Sequence, residues 1–150
     1  MLMATEKLVN AHLEHLPAII QIEQMSFGTD AFNIRQMRYL IRSQNPFYIF
    51  LHNKIVAGYM ILLLRKNVSV IRIYAIAIHP DFRGKGLASS FLDKAIQTAS
   101  EMACSKISLE VKTINQAAIS LYQQKGFKVS ELLTQYYKDG ADGYKMVLTL

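Results

Sequence analysis

The sequence predicts one α/β (α+β) domain over residues 1–150, built around a mixed β-sheet. Two observations predict it. Apolar residues follow strand-type and helix-type spacings in the order β-α-α-β-β-β-α-β-α-β-β along the chain. The chain has 150 residues, of which 51% are hydrophobic, so it can build one full-sized core. We therefore expect about seven strands flanked by four helices.

The first predicted elements are a short strand over 8–11 and two helices. The segment 15–27 carries apolar residues at helical spacing, and Gly28-Thr29-Asp30 then breaks the helix. A second helix over 34–43 ends before Asn45-Pro46, because the residue preceding a proline disfavours helical backbone.

Three strands and a long helix come next. Apolar runs over 47–52 and 55–64 flank Asn53-Lys54, which is a hairpin signal. The run over 70–78 is almost continuously apolar and predicts a strand buried on both faces. A helix over 87–103 has an apolar stripe made of Ala88, Phe91, Leu92, Ala95, Ile96, Ala99 and Met102.

The C-terminal elements begin with a strand over 107–112 whose apolar residues alternate with Ser108, Glu110 and Lys112. Asn115 is a good N-cap for a helix that runs to 125, and Gly126 is a good terminator. Strands over 127–133 and 144–150 complete the sheet.

Composition narrows the class of protein. The formal net charge of +6 favours an acidic partner, which could be a phosphorylated cofactor, nucleic acid or a membrane surface. Cys104 is the single cysteine, so a disulfide framework is excluded and a buried inert thiol is expected. The four histidines lack metal-ligand spacing, so no metal is expected. The longest apolar run is half the length of a membrane span, and the first ten residues lack the apolar core of a signal peptide, so we expect a cytoplasmic protein without a membrane partner.

The stretch from Ile76 to Ser89 places glycine and positive charge between a strand and a helix. Gly84 and Gly86 leave the backbone bare, and the helix that starts at Leu87 exposes unpaired N–H groups. Arg83 and Lys85 add full positive charges, so the stretch suits a pyrophosphate. A plain surface turn is the alternative. A Walker loop and a dinucleotide fingerprint both require glycines and a context that are missing here.

The pattern R-x-x-G-x-A from Arg83 to Ala88, after Ile76-Ala77-Ile78-His79-Pro80, resembles the coenzyme A motif of the GNAT superfamily of N-acetyltransferases. A second segment strengthens the resemblance to the ribosomal-protein alanine N-acetyltransferase branch. Its matching residues are Leu109-Glu110-Val111, Asn115, Ala117-Ala118-Ile119, Leu121-Tyr122 and Gly126-Phe127. The resemblance implies the GNAT fold, with a mostly antiparallel sheet, and acetyl-CoA as the donor.

The resemblance also implies a cofactor role for two groups of residues. The strand residues Ile76, Ala77 and Ile78 would lend backbone groups to the pantetheine arm, and Asn115 would contact coenzyme A, besides capping its helix. The pyrophosphate would be held by Arg83, Gly84, Lys85, Gly86, Leu87, Ala88 and Ser89.

Glu110 and Tyr122 match the general base and the general acid of the branch. An ammonium must lose a proton before it attacks a thioester, and the departing thiolate gains from a proton donor. A solvated glutamate and a core tyrosine are the alternatives. Tyr136 and Tyr137 match an acceptor-side pair, with cross-strand packing as the alternative. Phe27 lies where the branch has a tryptophan-containing acceptor segment, although this chain has no tryptophan.

The predicted activity is acetyl transfer to a primary amine, possibly a protein N-terminus, by a monomer or a homodimer. A lysine side chain, a small amine and a non-catalytic coenzyme A sensor remain alternatives. RNA binding is a further alternative, because Lys125-Gly126-Phe127-Lys128-Val129 is similar to an RRM strand, but the stacking aromatics of that motif are missing. We therefore expect no nucleic-acid partner.

Overall fold

A computed structural model of the chain describes residues 6–28, 31–65 and 69–150. Within these residues lie seven strands and four α-helices in the predicted order, which confirms the predicted fold class. The elements are β1 (Glu6–Asn10), α1 (Leu16–Phe27), α2 (Ile34–Arg42), β2 (Phe47–His52), β3 (Ile55–Leu64), β4 (Val70–Ile78), α3 (Leu87–Glu101), β5 (Lys106–Lys112), α4 (Gln116–Gln124), β6 (Lys128–Leu133) and β7 (Gly143–Thr149).

The strands are hydrogen-bonded in the order β1-β2-β3-β4-β5-β7-β6. Strands β4 and β5 are parallel, whereas the β1–β2, β2–β3, β5–β7 and β6–β7 pairs are antiparallel. The mixed, mostly antiparallel sheet is therefore confirmed. The chain divides into two compact units, unit 1 (Met1–Leu62 and Ala75–Phe91) and unit 2 (Leu63–Tyr74 and Leu92–Leu150).

Unit 1 packs its core around the β2–β3 hairpin. The turn at Asn53 and Lys54 has φ values of 49° and 69°, the left-handed pair that a two-residue hairpin turn requires. Opposite Ile49 in the register stands Tyr59, and both side chains are fully buried. Other fully buried side chains of this unit include Ile19, Met37, Met60, Ile61 and Phe91.

Unit 2 is built on β5, which pairs with β4 on one edge and with β7 on the other. The β4–β5 register runs from Val70↔Lys106 to Arg72↔Ser108. The fully buried side chains of unit 2 include Ile71, Leu92, Ala95, Ala99, Ile107 and Met146. Asn115 caps α4 by accepting a hydrogen bond from the Ala118 N–H at 3.2 Å, as predicted.

The strand buried on both faces is β3 and not β4, so that prediction was wrong. Every residue from Val56 to Leu62 is buried, whereas β4 buries only Ile71, Ile73 and Ala77. Both runs are apolar along their length, and a run of this kind does not reveal which strand the neighbouring elements cover.

Helix α3 ends at Glu101, two residues before the predicted end. Met102 therefore lies beyond the helix and is 46% exposed, so its place in the apolar stripe was wrong. Among the described residues, no helix has the length and apolar character needed to span a membrane.

Candidate active site

Unit 1 contains the predicted phosphate loop, defined here as residues 83–89. Gly84 and Gly86 have φ values of +75° and +82°, in the left-handed region that favours glycine. A Cβ atom at either position would meet no atom within 4 Å. These glycines are therefore required by the turn itself, and the space beside their backbone is open.

The end of the phosphate loop presents amide donors and cations. The Ser90 N–H donates to the Gly86 carbonyl at 3.1 Å, so the amides of Leu87, Ala88 and Ser89 precede the first helical bond of α3. Arg83 and Lys85 are exposed, and Arg83 Nε donates to the Ile78 carbonyl at 3.3 Å. Helix α3 has 15 residues, and the backbone N–H groups at its start carry partial positive charge. Together with the two cations, these N–H groups suit an anionic group such as a pyrophosphate.

The end of β4, which carries Ile76, Ala77 and Ile78, is held in unit 1 by close packing. A Cβ atom at Gly58 of β3 would lie 2.8 Å from the Ala77 carbonyl oxygen and 2.9 Å from Ile78 Cδ1. The His79 N–H donates to the Ala57 carbonyl at 2.8 Å. Only a glycine at position 58 allows β4 to lie this close, so the backbone of 76–78 has a fixed position within unit 1.

Unit 2 places the predicted base beside a cation that the sequence analysis did not assign. Arg72 Nε donates to Glu110 Oε2 at 3.0 Å, and the two side chains are 38% and 18% exposed. The solvated glutamate that was the alternative for Glu110 is therefore replaced by a partly buried ion pair. The sequence could have drawn attention to Arg72, because it is the one charged residue in the apolar run 70–78.

Tyr122, the predicted acid, projects from α4 and packs its ring against Phe127 at a centroid distance of 6.0 Å. Burial raises the pKa of Tyr122 above the ordinary value of a tyrosine. The phenol therefore stays protonated at neutral pH and is able to donate a proton.

Tyr136 and Tyr137 lie in the loop between β6 and β7, so cross-strand packing does not describe them. Their rings meet edge to face at a centroid distance of 5.1 Å, and a Cβ atom at position 143 would lie 3.0 Å from Tyr137 Cε2, so the Tyr137 ring packs closely against Gly143. The pKa of Tyr137 is raised to about 12, first by burial and then by the charges of Tyr136, Glu110 and Tyr122, while Arg72 lowers it. Tyr137 thus lies within electrostatic reach of Arg72, Glu110, Tyr122 and Tyr136, all of them residues of unit 2.

Two other predicted residues occupy element ends. Phe27 is the last residue of α1 in unit 1 and is 41% exposed. Asn115 in unit 2 is exposed, and its carbonyl oxygen serves the helix cap described above. Of the segment that follows Phe27, Thr29 and Asp30 lie outside the described residues.

A buried acid in unit 1 was missed by the sequence analysis. Glu23 is 1% exposed, accepts a hydrogen bond from the Tyr59 hydroxyl, and accepts another from the Phe32 N–H at 3.1 Å. Burial raises the pKa of Glu23, and these two hydrogen bonds oppose that rise. Little in the sequence indicated that Glu23 is buried, since the only clue is that it shares the helical spacing of the apolar residues of α1.

Cys104 is half-buried and not buried, because it lies between the end of α3 and the start of β5. Phe127, the aromatic residue of the RRM-like segment, is 2% exposed, so its ring is not available to stack on a base.

Comparison with known proteins places the chain in a family. Residues 13–127 match the acetyltransferase (GNAT) family. The N-alpha-acetyltransferase MAK3 of Arabidopsis thaliana is 30% identical, with 89% of this chain and 72% of the relative covered. A Bacillus subtilis protein named putative ribosomal protein bS18-alanine N-acetyltransferase is 27% identical, with 94% and 93% covered.

A solved structure agrees with these relatives. The NatC complex bound to Gag peptide and CoA contains a chain that is 25% identical, with a TM-score of 0.85 and 99% of both chains covered. The predicted family and the predicted class of enzyme, an N-acetyltransferase, are confirmed by these matches. The chain therefore belongs to the acetyltransferase (GNAT) family.

Proposed function

We propose that the protein transfers the acetyl group of acetyl-CoA to the α-amine of a protein or peptide N-terminus. The observation that supports it most directly is the similarity, over 89% of the chain, to an N-alpha-acetyltransferase. The structurally similar chain of NatC belongs to a complex that binds a peptide and CoA. Glu110 and Tyr122, both in unit 2, are the residues that we propose as its base and its acid.

The residues of unit 1 fit the donor. The phosphate loop would hold the pyrophosphate through the amides of 87–89 and the charges of Arg83 and Lys85. The backbone of Ile76, Ala77 and Ile78 would bind the pantetheine arm, and Asn115 of unit 2 would contribute a polar contact from its amide. Acetyl-CoA, once bound, supplies the acetyl thioester.

Two side chains of unit 2 would move the protons. Glu110 takes a proton from the acceptor ammonium, directly or through water, so that the nitrogen lone pair can form the new C–N bond. As the C–S bond breaks, the Tyr122 hydroxyl would give its proton to the leaving sulfur, and the second proton lost by the attacking nitrogen would restore the phenol. The raised pKa of Tyr122 keeps that proton available at neutral pH. Tyr136, Tyr137 and Phe27 are proposed to contact the acceptor.

The acceptor class follows from amine chemistry. An α-amine with a pKa near ~8 is about one-tenth neutral at pH 7, whereas a lysine amine near ~10.4 is neutral in well under ~0.1% of molecules. An enzyme with one carboxylate base therefore finds an N-terminal amine far more often in its reactive form. A lysine side chain and a small amine are the alternatives that the experiment must separate.

The test is thiol release from acetyl-CoA by the purified protein with N-terminal peptides, lysine peptides blocked at their N-terminus, and small amines. We expect release with N-terminal peptides and a loss of about 100-fold in kcat for Tyr122→Phe, because that variant lacks the transferable proton. Tyr39→Phe, at an exposed tyrosine of α2, is the matched control and should keep full activity.

Other outcomes would contradict parts of the proposal. Release only with lysine peptides or small amines would reject the N-terminal acceptor. Undiminished turnover by Tyr122→Phe would remove Tyr122 from the mechanism. Tight acetyl-CoA binding without release by any amine would favour the coenzyme A sensor.

Three further expectations concern the setting of the enzyme. A single domain over 1–150, a cytoplasmic location, and a monomeric or homodimeric state stay predictions. The family match over 13–127 includes residues of both compact units, which supports the single domain. Light scattering of the purified protein measures the oligomeric state directly.

A further inference from the structure

Arg72 is a charged residue placed inside an apolar strand. It lies on β4 in register with Ser108 of the parallel strand β5, and Glu110 is two residues further along β5. Residues two apart in a strand point to the same face, so Glu110 shares the face of Ser108. This register allows Arg72 Nε to reach Glu110 Oε2 at 3.0 Å.

A second contact restrains the guanidinium group. Its Cζ atom lies 5.3 Å from the ring centroid of Tyr74, within the range of a cation–π interaction. Tyr74 is two residues from Arg72 on β4 and therefore stands on the same face of that strand. Arg72 is thus held by a carboxylate and by an aromatic ring, which limits the rotamers open to it.

The ion pair also restrains Glu110. Its Oε2 atom is held by Arg72, whereas within the described part of the chain Oε1 accepts no hydrogen bond from another residue. A planar guanidinium donates in fixed directions, so it sets the orientation of the carboxylate to which it is bound. The carboxylate is 18% exposed, and a charge-assisted bond at such a site is less screened than one at the surface.

We propose that Arg72 is a positioning residue that fixes the carboxylate of Glu110 so that Oε1 accepts the proton of the acceptor amine. The proton passes from the acceptor nitrogen to Oε1 and then to solvent, while Oε2 stays bonded to Arg72. This inference rests on the proposed function, since it assigns Arg72 a part in the same proton transfer.

A double-mutant cycle tests it, with the wild type, Arg72→Met, Glu110→Gln and the double variant compared in the thiol-release assay. Methionine keeps the apolar stem and removes the guanidinium. We expect Arg72→Met to lower kcat about tenfold, as loss of an orienting partner does, with KM for acetyl-CoA unchanged. In the Glu110→Gln background the same change should alter kcat less than about twofold, because its target is gone.

Controls separate this role from a structural one. Arg35→Met makes the same replacement at an exposed arginine of α2 and should leave kcat unchanged. Thermal unfolding shows whether each variant is folded, and Arg72→Gln, which keeps an N–H donor, replaces Arg72→Met if the latter is unfolded.

The outcomes distinguish the two proposals. Equal losses from Arg72→Met in both backgrounds, or a loss confined to KM for acetyl-CoA, would overturn the positioning role alone. Unchanged kcat in Arg72→Met would do the same. A wild type without transfer to any amine would overturn the proposed function, and the inference about Arg72 with it.

Discussion

Two charged side chains, Glu110 and Glu23, show how partners decide what an acid does. Glu110 is partly exposed, and its Oε2 atom accepts a hydrogen bond from Arg72. Glu23 is enclosed, and both of its oxygens are occupied by donors of unit 1, the Tyr59 hydroxyl and the Phe32 N–H. The first arrangement suits a base, whereas the second joins α1 to β3 and to the backbone that precedes α2.

Glu23 makes stability depend on pH, and the sign follows from its raised pKa. The native state holds the proton more tightly than the unfolded state, so the contribution is complete below the unfolded pKa and is lost as pH rises through the folded pKa. Each pH unit between the two pKa values costs about 1.4 kcal/mol. The Glu23→Gln variant cannot ionise there and should therefore gain free energy of unfolding relative to the wild type as pH rises.

Urea unfolding of both proteins at a series of pH values from 4 upward measures this difference. Glu131→Gln, at an exposed glutamate of β6, is the control and should follow the wild type. A difference between Glu23→Gln and the wild type that stays constant with pH would contradict the expectation.

The packing of β3 against β4 positions the strand that we predict to bind the pantetheine arm. Strand β3 is buried along Val56–Leu62 and carries Gly58 where Ala77 and Ile78 of β4 pack closely against it. A side chain at position 58 would push on a backbone carbonyl, which cannot rotate away as the end of a flexible side chain can. The position of the end of β4 therefore depends on this close approach more than on the spacing of apolar residues within either strand.

Gly58→Ala should destabilise the protein by about 1–3 kcal/mol, the usual cost of overpacking, and weaken acetyl-CoA binding. The new Cβ atom would lie 2.8 Å from the Ala77 carbonyl oxygen and 3.2 Å from the Phe91 ring. Urea unfolding and titration with acetyl-CoA measure the two effects. Gly140→Ala is the control, since its φ of +83° brings strain without crowding and should leave acetyl-CoA affinity intact. Wild-type affinity in Gly58→Ala would show that the end of β4 does not contact the donor.

For the whole molecule, the net charge and the family fold point to one anionic ligand. The formal charge of +6 favours association with a polyanion such as coenzyme A, and salt should weaken that association. The matched family segment begins in unit 1 and ends in unit 2, and we expect the two units to unfold together.

A single domain should unfold in one transition that acetyl-CoA shifts upward. At ~100 times its dissociation constant, a ligand adds about 2.7 kcal/mol, which raises the Tm of a protein of this size by roughly 5–10 °C. The chain has no tryptophan, so circular dichroism or calorimetry is the suitable probe. Two separate transitions, with only one moved by acetyl-CoA, would contradict the single domain.

Short-range patterns determined the element order, the helix cap at Asn115, the glycine turn at Gly84 and Gly86, and the family. Each depends on residues within a few positions of one another, where helix period, strand period and turn chemistry operate. Helix ends and the edges of apolar runs were less well predicted, as Met102 shows, because a helix can stop before its apolar pattern does.

Only the tertiary structure decided which polar side chains contact each other. Arg72 and Glu110 are 38 residues apart, and Tyr59 and Glu23 are 36 apart. Strand register and helix packing bring these pairs together, and no periodicity in one sequence encodes such a contact. The same reason applies to the burial of β3 in place of β4, since coverage of a strand depends on elements distant in the chain. The sequence alone thus predicted the chemistry, whereas the fold showed that Arg72 is the partner of the predicted base, Glu110.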